Sequence, residues 1–99
     1  MWLQKSPWRP IDGSGQAIAY TLAGTAASAP VGAHTYAVRL SCITGNCMVR
    51  INNGNVATAA LDVLLKTTDP AIELKIAPGQ VVEVYGIAAG TLYMCELTY

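Results

Sequence analysis

The chain has 99 residues, enough for one domain, and its six Lys/Arg balance its six Asp/Glu to a formal net charge of zero at pH 7. The basic residues are scattered rather than run together, which speaks against a nucleic-acid partner. Charged residues make up only 12% and hydrophobic ones 53%, a poor exterior for a free monomer and a fitting one for a subunit that buries its surface on partners.

Residues 1–15 read as an extended N-terminal arm, and residues 16–99 as the folded domain. The arm carries both tryptophans, Trp2 and Trp8, with Pro7 and Pro10, and Gly13-Ser-Gly15 forms a joint behind it. An exposed indole leaves a large apolar area in water. The two tryptophans therefore either fold back on their own domain or anchor the arm, with Arg9, on a neighbouring subunit. Lys5 and Arg9 precede a weakly apolar piece over 17–23, and Ala27-Ser-Ala29 mimics a cleavage site. Polar residues 12–16 interrupt that pattern, so no signal peptide is expected. No stretch is apolar and long enough to span a bilayer as a helix, and no membrane partner is expected.

Residues 16–22 alternate, with Ile18, Tyr20 and Leu22 on one side, and predict the first strand. Residues 23–33 are small and turn-rich and predict a long loop, whose Ala26–Ala29 portion suits close packing on a partner. His34, the only histidine, has no carboxylate near it in sequence and reads as a surface residue.

Residues 36–51 predict a β-hairpin at the centre of the domain. Val38, Leu40 and Cys42 alternate on one arm, Cys47, Val49 and Ile51 on the other, and Thr44-Gly45 can turn the chain. That register sets Cys42 against Cys47, and it sets Arg39 against Arg50 on the opposite face. Like charges directly opposite are unfavourable. The two guanidinium groups then need a carboxylate, either from a paired strand (Glu73, Glu83 or Glu96) or from an acidic patch on another subunit.

Asn52-Asn-Gly-Asn is a turn signal. Residues 56–66 fit a short helix by spacing, but Val56, Thr58 and Val63 are β-branched, so a loop leading into a strand over 63–66 is the expectation. Residues 72–76 alternate clearly, with Glu73 and Lys75 outward. Ala77-Pro-Gly-Gln80 suits a type II turn. Residues 81–87 form the next strand, with Val82 and Val84 inward. Residues 91–98 form the last, with Tyr93, Cys95 and Leu97 expected inward. Short alternating segments split by Gly, Pro and Asn turns predict an all-β fold, a single β-sandwich of jelly-roll-like or Ig-like type.

The chemistry-bearing residues do not assemble into a known motif. Cys42, Cys47, Cys95 and His34 lack the close paired spacing of zinc sites. An odd cysteine count suits free thiols in a reducing compartment better than a disulfide framework, though a disulfide between Cys42 and Cys47 fits the hairpin register. No acid/base carboxylate pair, nucleophile elbow or phosphate loop is present, so neither an enzyme nor a cofactor is expected.

From Ala37 onward the chain resembles small virion proteins of tailed bacteriophages. The resemblance rests on Val38-Arg-Leu, Ala57-Thr-Ala-Ala-Leu-Asp-Val-Leu-Leu, Ile72-Glu-Leu-Lys-Ile-Ala-Pro-Gly-Gln and Ile87-Ala-Ala-Gly-Thr-Leu-Tyr, in that order. It implies a head decoration or cement protein: a small β-sandwich, often a homotrimer, that sits on the capsid surface and binds the major capsid protein. Proteins of similar build in necks and tails are the first alternative. A carbohydrate-binding module for host attachment is the second, with Tyr85, Tyr93 and Tyr99 as its candidate aromatics.

Overall fold

The computed structural model describes residues 8–52 and 63–99. Those residues form nine strands and no helix: β1 Arg9–Pro10, β2 Gln16–Tyr20, β3 Thr25–Ala27, β4 Ala37–Thr44, β5 Cys47–Asn52, β6 Val63–Leu65, β7 Ile72–Lys75, β8 Val81–Gly86 and β9 Gly90–Thr98. Trp2 and the ambiguous stretch from Val56 to Asp62 lie outside the described residues.

The strands build two antiparallel sheets packed as a sandwich. In one, β9 is flanked by β4, with β7 beyond it, and on its other side by both β1 and β2. The other runs β3-β8-β5-β6. The pairing has a simple logic: β2 pairs β9, β3 pairs β8, β4 pairs β7 and β5 pairs β6, all antiparallel. The paired strands of the two halves of the chain thus zip into one long ribbon. Rolling that ribbon brings β4 beside β9 and β5 beside β8. This is the jelly-roll winding, and it decides between the two sandwich types expected.

The central hairpin is the main correction. Strands β4 and β5 occur where the alternation put them, but they belong to different sheets and do not pair. The residues between them cross from one sheet to the other. Gly45, at φ +67°, makes that crossing, and the main chain of residues 88–89 lies so close that a Cβ there would collide with it. Cys42 and Cys47 do both face the core, but from opposite sheets.

The core forms between the sheets. Val38, Leu40, Leu92 and Met94 of one sheet and Cys47, Val49, Val82 and Val84 of the other are fully buried. Four further expectations need correction. Residues 23–33 hold a strand, β3, whose partner is β8 of the same chain. Leu22 lies past the end of β2 and is 69% exposed, because Ala23 turns the chain with positive φ. In β9 the inward residues are Leu92 and Met94, while Tyr93 is 45% exposed and Cys95 half-buried. Leu97 is buried as well, but it lies on the Tyr93 and Cys95 side of the strand and outside the core between the sheets, and next to it the Glu96 N–H donates to Ser14 Oγ (3.0 Å).

The arm also differs from expectation over the part described. Arg9 and Pro10 pair with Thr98 and Leu97, and the Ile11 N–H donates to the Glu96 carbonyl (2.9 Å). Ser14 Oγ donates in turn to the Ile11 carbonyl (2.7 Å) and bridges β1 to β2. Residues 9–20 are therefore one edge strand of the domain, interrupted at 12–15. Proline tolerates this place because an edge position does not require its missing N–H.

Truncating Leu92 to Ala should cost about 2–5 kcal/mol in urea unfolding, as full-depth core deletions do. Ile43→Ala, at a side chain 55% exposed, should stay within about 0.5 kcal/mol. Equal costs for the two would refute the core assignment.

Candidate functional site

The two arginines that were expected to face each other stand in separate sheets. Each meets its own carboxylate across a strand pair. Arg39 on β4 lies opposite Glu73 on β7, and its Nε and one terminal nitrogen donate to Glu73 Oε2 at 3.2 and 2.8 Å. Arg50 on β5 lies opposite Glu83 on β8, at 3.7 Å from Oε2. The intramolecular option among the two considered is thus the one the fold uses.

The two pairs differ in environment. The first is part-exposed, 39% and 27% at the side chains. In the second the Glu83 side chain is 1% exposed and Arg50 reaches solvent at 25%. Among the described residues, both Glu83 oxygens and Arg50 Nε lack a hydrogen bond. Arg50 therefore supplies the charge that makes the buried carboxylate tolerable without supplying its hydrogen bonds.

The sequence-expected anchors are split. Trp8 packs on Tyr99, ring centroids 4.7 Å apart, and Tyr99 packs on Tyr36 at 5.3 Å. Trp8 is half-buried and Arg9 exposed. Trp2 lies outside the described residues. Tyr85 and Tyr93, the other sugar-stacking candidates, point away from the core on opposite sheets and do not share a face with each other. The aromatics that do gather, Trp8, Tyr36 and Tyr99, pack through Tyr99, each of the two ring pairs tilted by 37°. Tyr36 was missed, although its place just before a strand and near the C-terminal tyrosine in the ladder follows once β4 is paired with β9.

At the same end of the sandwich, Glu96 ties down the loop over 28–36. Its Oε1 accepts from the Gly32 N–H (3.0 Å) and from Thr35 Oγ1 (2.5 Å). His34 is exposed on that loop.

The opposite end has a different character. Leu22, Ile43 and Ile87 are 69%, 55% and 42% exposed there. Residues 21–25, 43–46 and 87–91 include no charged side chain. Main-chain bonds hold these segments together: Ala23 N–H to Gly86 O (2.8 Å), Gly86 N–H to Gly24 O (2.9 Å) and Ile87 N–H to Asn46 O (3.0 Å). The fourth segment at this end is tied in by Thr67 N–H to Asn46 Oδ1 (3.1 Å) and brings the charges of Lys66 and Asp69. The sequence signal, three charge-free turns each next to an aliphatic residue, was present, but only the rolled ribbon brings the turns to one end.

Beneath this end lies a thiol–phenol cluster. Tyr20 Oη reaches Cys42 Sγ (3.4 Å), the Thr44 carbonyl (2.9 Å) and the Gly45 carbonyl. Burial pushes the Tyr20 phenol well above its usual range, and contact with Cys42 and Cys47 adds to the shift. Burial likewise pushes the Cys47 thiol up from 9.0 to about 11, against the lowering effect of its hydrogen bond to Tyr20. All three cysteines are free thiols. A raised Cys47 thiol disfavours the thiolate, the form that confers reactivity. Among the described residues no three His, Cys, Asp or Glu side chains converge on a point suited to a metal.

Compared with protein-family models, with curated proteins and with solved structures, the chain matches none. What can be said of its class comes from its own geometry: a jelly-roll sandwich with one charge-poor apolar end and an aromatic cluster at the other.

Two outcomes test this geometry. Arg50→Leu strips the cation from a carboxylate that is 1% exposed and should cost about 3–5 kcal/mol, whereas Glu83→Leu leaves Arg50 able to reach water and should cost about 1 kcal/mol or less. A double-mutant cycle in urea reads the asymmetry. The raised thiol and phenol make stability pH-dependent with a definite sign. Below pH 9.0 folded and unfolded Cys47 are both protonated and stability is full; as pH rises from 9.0 towards about 11 only the unfolded chain loses the proton, and stability falls. Tyr20 extends the fall above pH 10.0. Cys47→Ala should flatten the first part of that fall, measured as urea midpoints along a pH series.

Proposed function

We propose that this chain is a non-enzymatic virion structural protein of a tailed phage, a decoration or cement protein that binds the major capsid protein on the assembled head. The observation that carries the reading is the charge-poor end bearing Leu22, Ile43 and Ile87. Exposed apolar side chains grouped on firmly bonded loops suit the core of a protein interface, where charge is depleted. The jelly roll itself supports the reading only by analogy, since the same winding serves capsid and lectin domains alike.

The mechanism is linkage. A copy seated across a joint between coat subunits binds the closed shell and not the dispersed subunits, so its binding free energy opposes their separation. Rigid loops matter here, because little conformational freedom is lost on docking. Arg9, at the other end, is a second contact in this reading, and Trp2, outside the described residues, is proposed with it. Residues 9 and 10 are already in the sheet, so among the described residues this contact is confined to the surface around Arg9.

Purified heads lacking the protein supply the test. The intact chain should bind them and raise their disruption temperature, at hundreds of copies per particle; a handful of copies would point instead to a neck or tail position. Ile43→Asp and Ile87→Asp should each weaken binding at least about tenfold, because a desolvated carboxylate at an interface core is strongly unfavourable, while leaving the urea midpoint of the free protein unchanged. Full binding by both variants would remove the apolar end from the contact.

A further inference from the structure

We propose that two copies of this chain associate edge to edge through β7, antiparallel about a twofold axis at Leu74, joining their sheets into one. The inference does not depend on the virion reading.

Strand β7 is the outer strand of its sheet and pairs only with β4 among the described residues. The Ile76 N–H donates to the Tyr36 carbonyl (3.1 Å), so Ile76, and with it Leu74 and Ile72, turn their peptide groups toward β4. The peptide groups of Glu73 and Lys75 therefore point to the open edge. An antiparallel partner must place residues with open peptide groups opposite one another. Three twofold registers do so for a second copy of β7. One sets Glu73 against Glu73, another sets Lys75 against Lys75, and the third sets Glu73 against Lys75 twice. Like charges directly opposite are unfavourable and opposite charges favourable, so the third register is selected.

The selected register is consistent on the other face as well. Leu74 meets Leu74 at the non-hydrogen-bonded position, where side chains come closest. Ile72 meets Ile76, beside the depression lined by Lys75, Ile76, Ala77 and Gln80. Ile72 and Leu74 are only part-buried against the core within one copy. Four main-chain hydrogen bonds form, two from each Glu73–Lys75 pair. Glu73 keeps Arg39 as its partner within the sheet, and Lys75 makes no ion pair among the described residues until the second copy arrives. A twofold contact also differs from the threefold that the resemblance to phage virion proteins implies.

Sedimentation velocity on the full chain tests this. A contact of this size belongs to the weak class, so concentrations up to about 1 mM are used. The wild type should pass from monomer to dimer. Lys75→Glu and Glu73→Lys should each remain monomeric alone, since each sets like charges opposite, and a one-to-one mixture of the two should recover the dimer. Lys75→Pro removes only an N–H that faces the open edge and should be a folded monomer by circular dichroism. A wild type that stays monomeric to that concentration overturns the proposal. So does a dimer or trimer that survives Lys75→Pro, or a mixture of the charge variants that stays monomeric.

Discussion

Strand β9 is hydrogen-bonded along both edges, and the rest of the fold hangs on that constraint. Its residues from Thr91 to Leu97 pair with β4 on one side, while β2 and then β1 occupy the other. A strand used on both edges cannot shift register by one residue without turning Leu92 and Met94 out of the core and breaking two ladders at once. On the outer edge, between the reach of β2 and that of β1, Ser14 supplies an oxygen to the Glu96 N–H where the ladder lacks one. The edge strand of residues 9–20 is then continuous in its attachment though broken in its chain.

The strands were legible in the sequence because alternation reports which face is buried, and burial is what the alternating residues share. Pairing was not legible, and residues 36–51 show why. The inward set Val38, Leu40, Cys42, Cys47, Val49 and Ile51 satisfies a two-strand hairpin and a crossing between stacked sheets equally well, since in both cases these side chains point to one core. The few residues around Gly45 are long enough for either path. The facing arginines were the sign that the hairpin was wrong: a fold that moves Arg39 to Glu73 and Arg50 to Glu83 removes a repulsion and gains two ion pairs. Strands β1 and β3 left no signal because they are two and three residues long and contain Pro and small residues. In β9 the choice of phase failed because Tyr93 and Leu92 are both apolar enough to lead, and the partner strand decided between them. Of the candidate contact surfaces, the charge-free turns were visible as composition, but their meeting at one end is a property of the rolled ribbon.

The two arginine–glutamate pairs contribute in different ways. The pair on β4 and β7 is in contact with water, so its contribution to stability is about 0–1 kcal/mol. Its larger effect is on register, because a slip of two residues would set Arg39 against Lys75. The pair on β5 and β8 sits where the carboxylate has almost no water, and it lacks the hydrogen bonds that offset the cost of burying charge. An apolar pair of similar volume would serve the sheet as well or better. Its presence is therefore better accounted for by the pairing it enforces than by the energy it adds: a Glu83 out of register with Arg50 would be a buried charge with no cation, which is a strong penalty on misaligned strands.

The distribution of charge ties these points to the surface. With only twelve charged side chains, four are committed to the two ion pairs and Glu96 to the loop over 28–36. Little remains to mark the outside. The turns around Leu22, Ile43 and Ile87 carry none of it, and the β7 edge carries one glutamate and one lysine, spaced so that a second copy complements both. Exposed strand edges are usually guarded by charge against indiscriminate pairing. Here the same two charges guard the edge against misregistered partners and admit one register. A small sandwich with so few charges is thus not featureless: where charge is absent the surface suits apolar docking, and where it is present it dictates alignment.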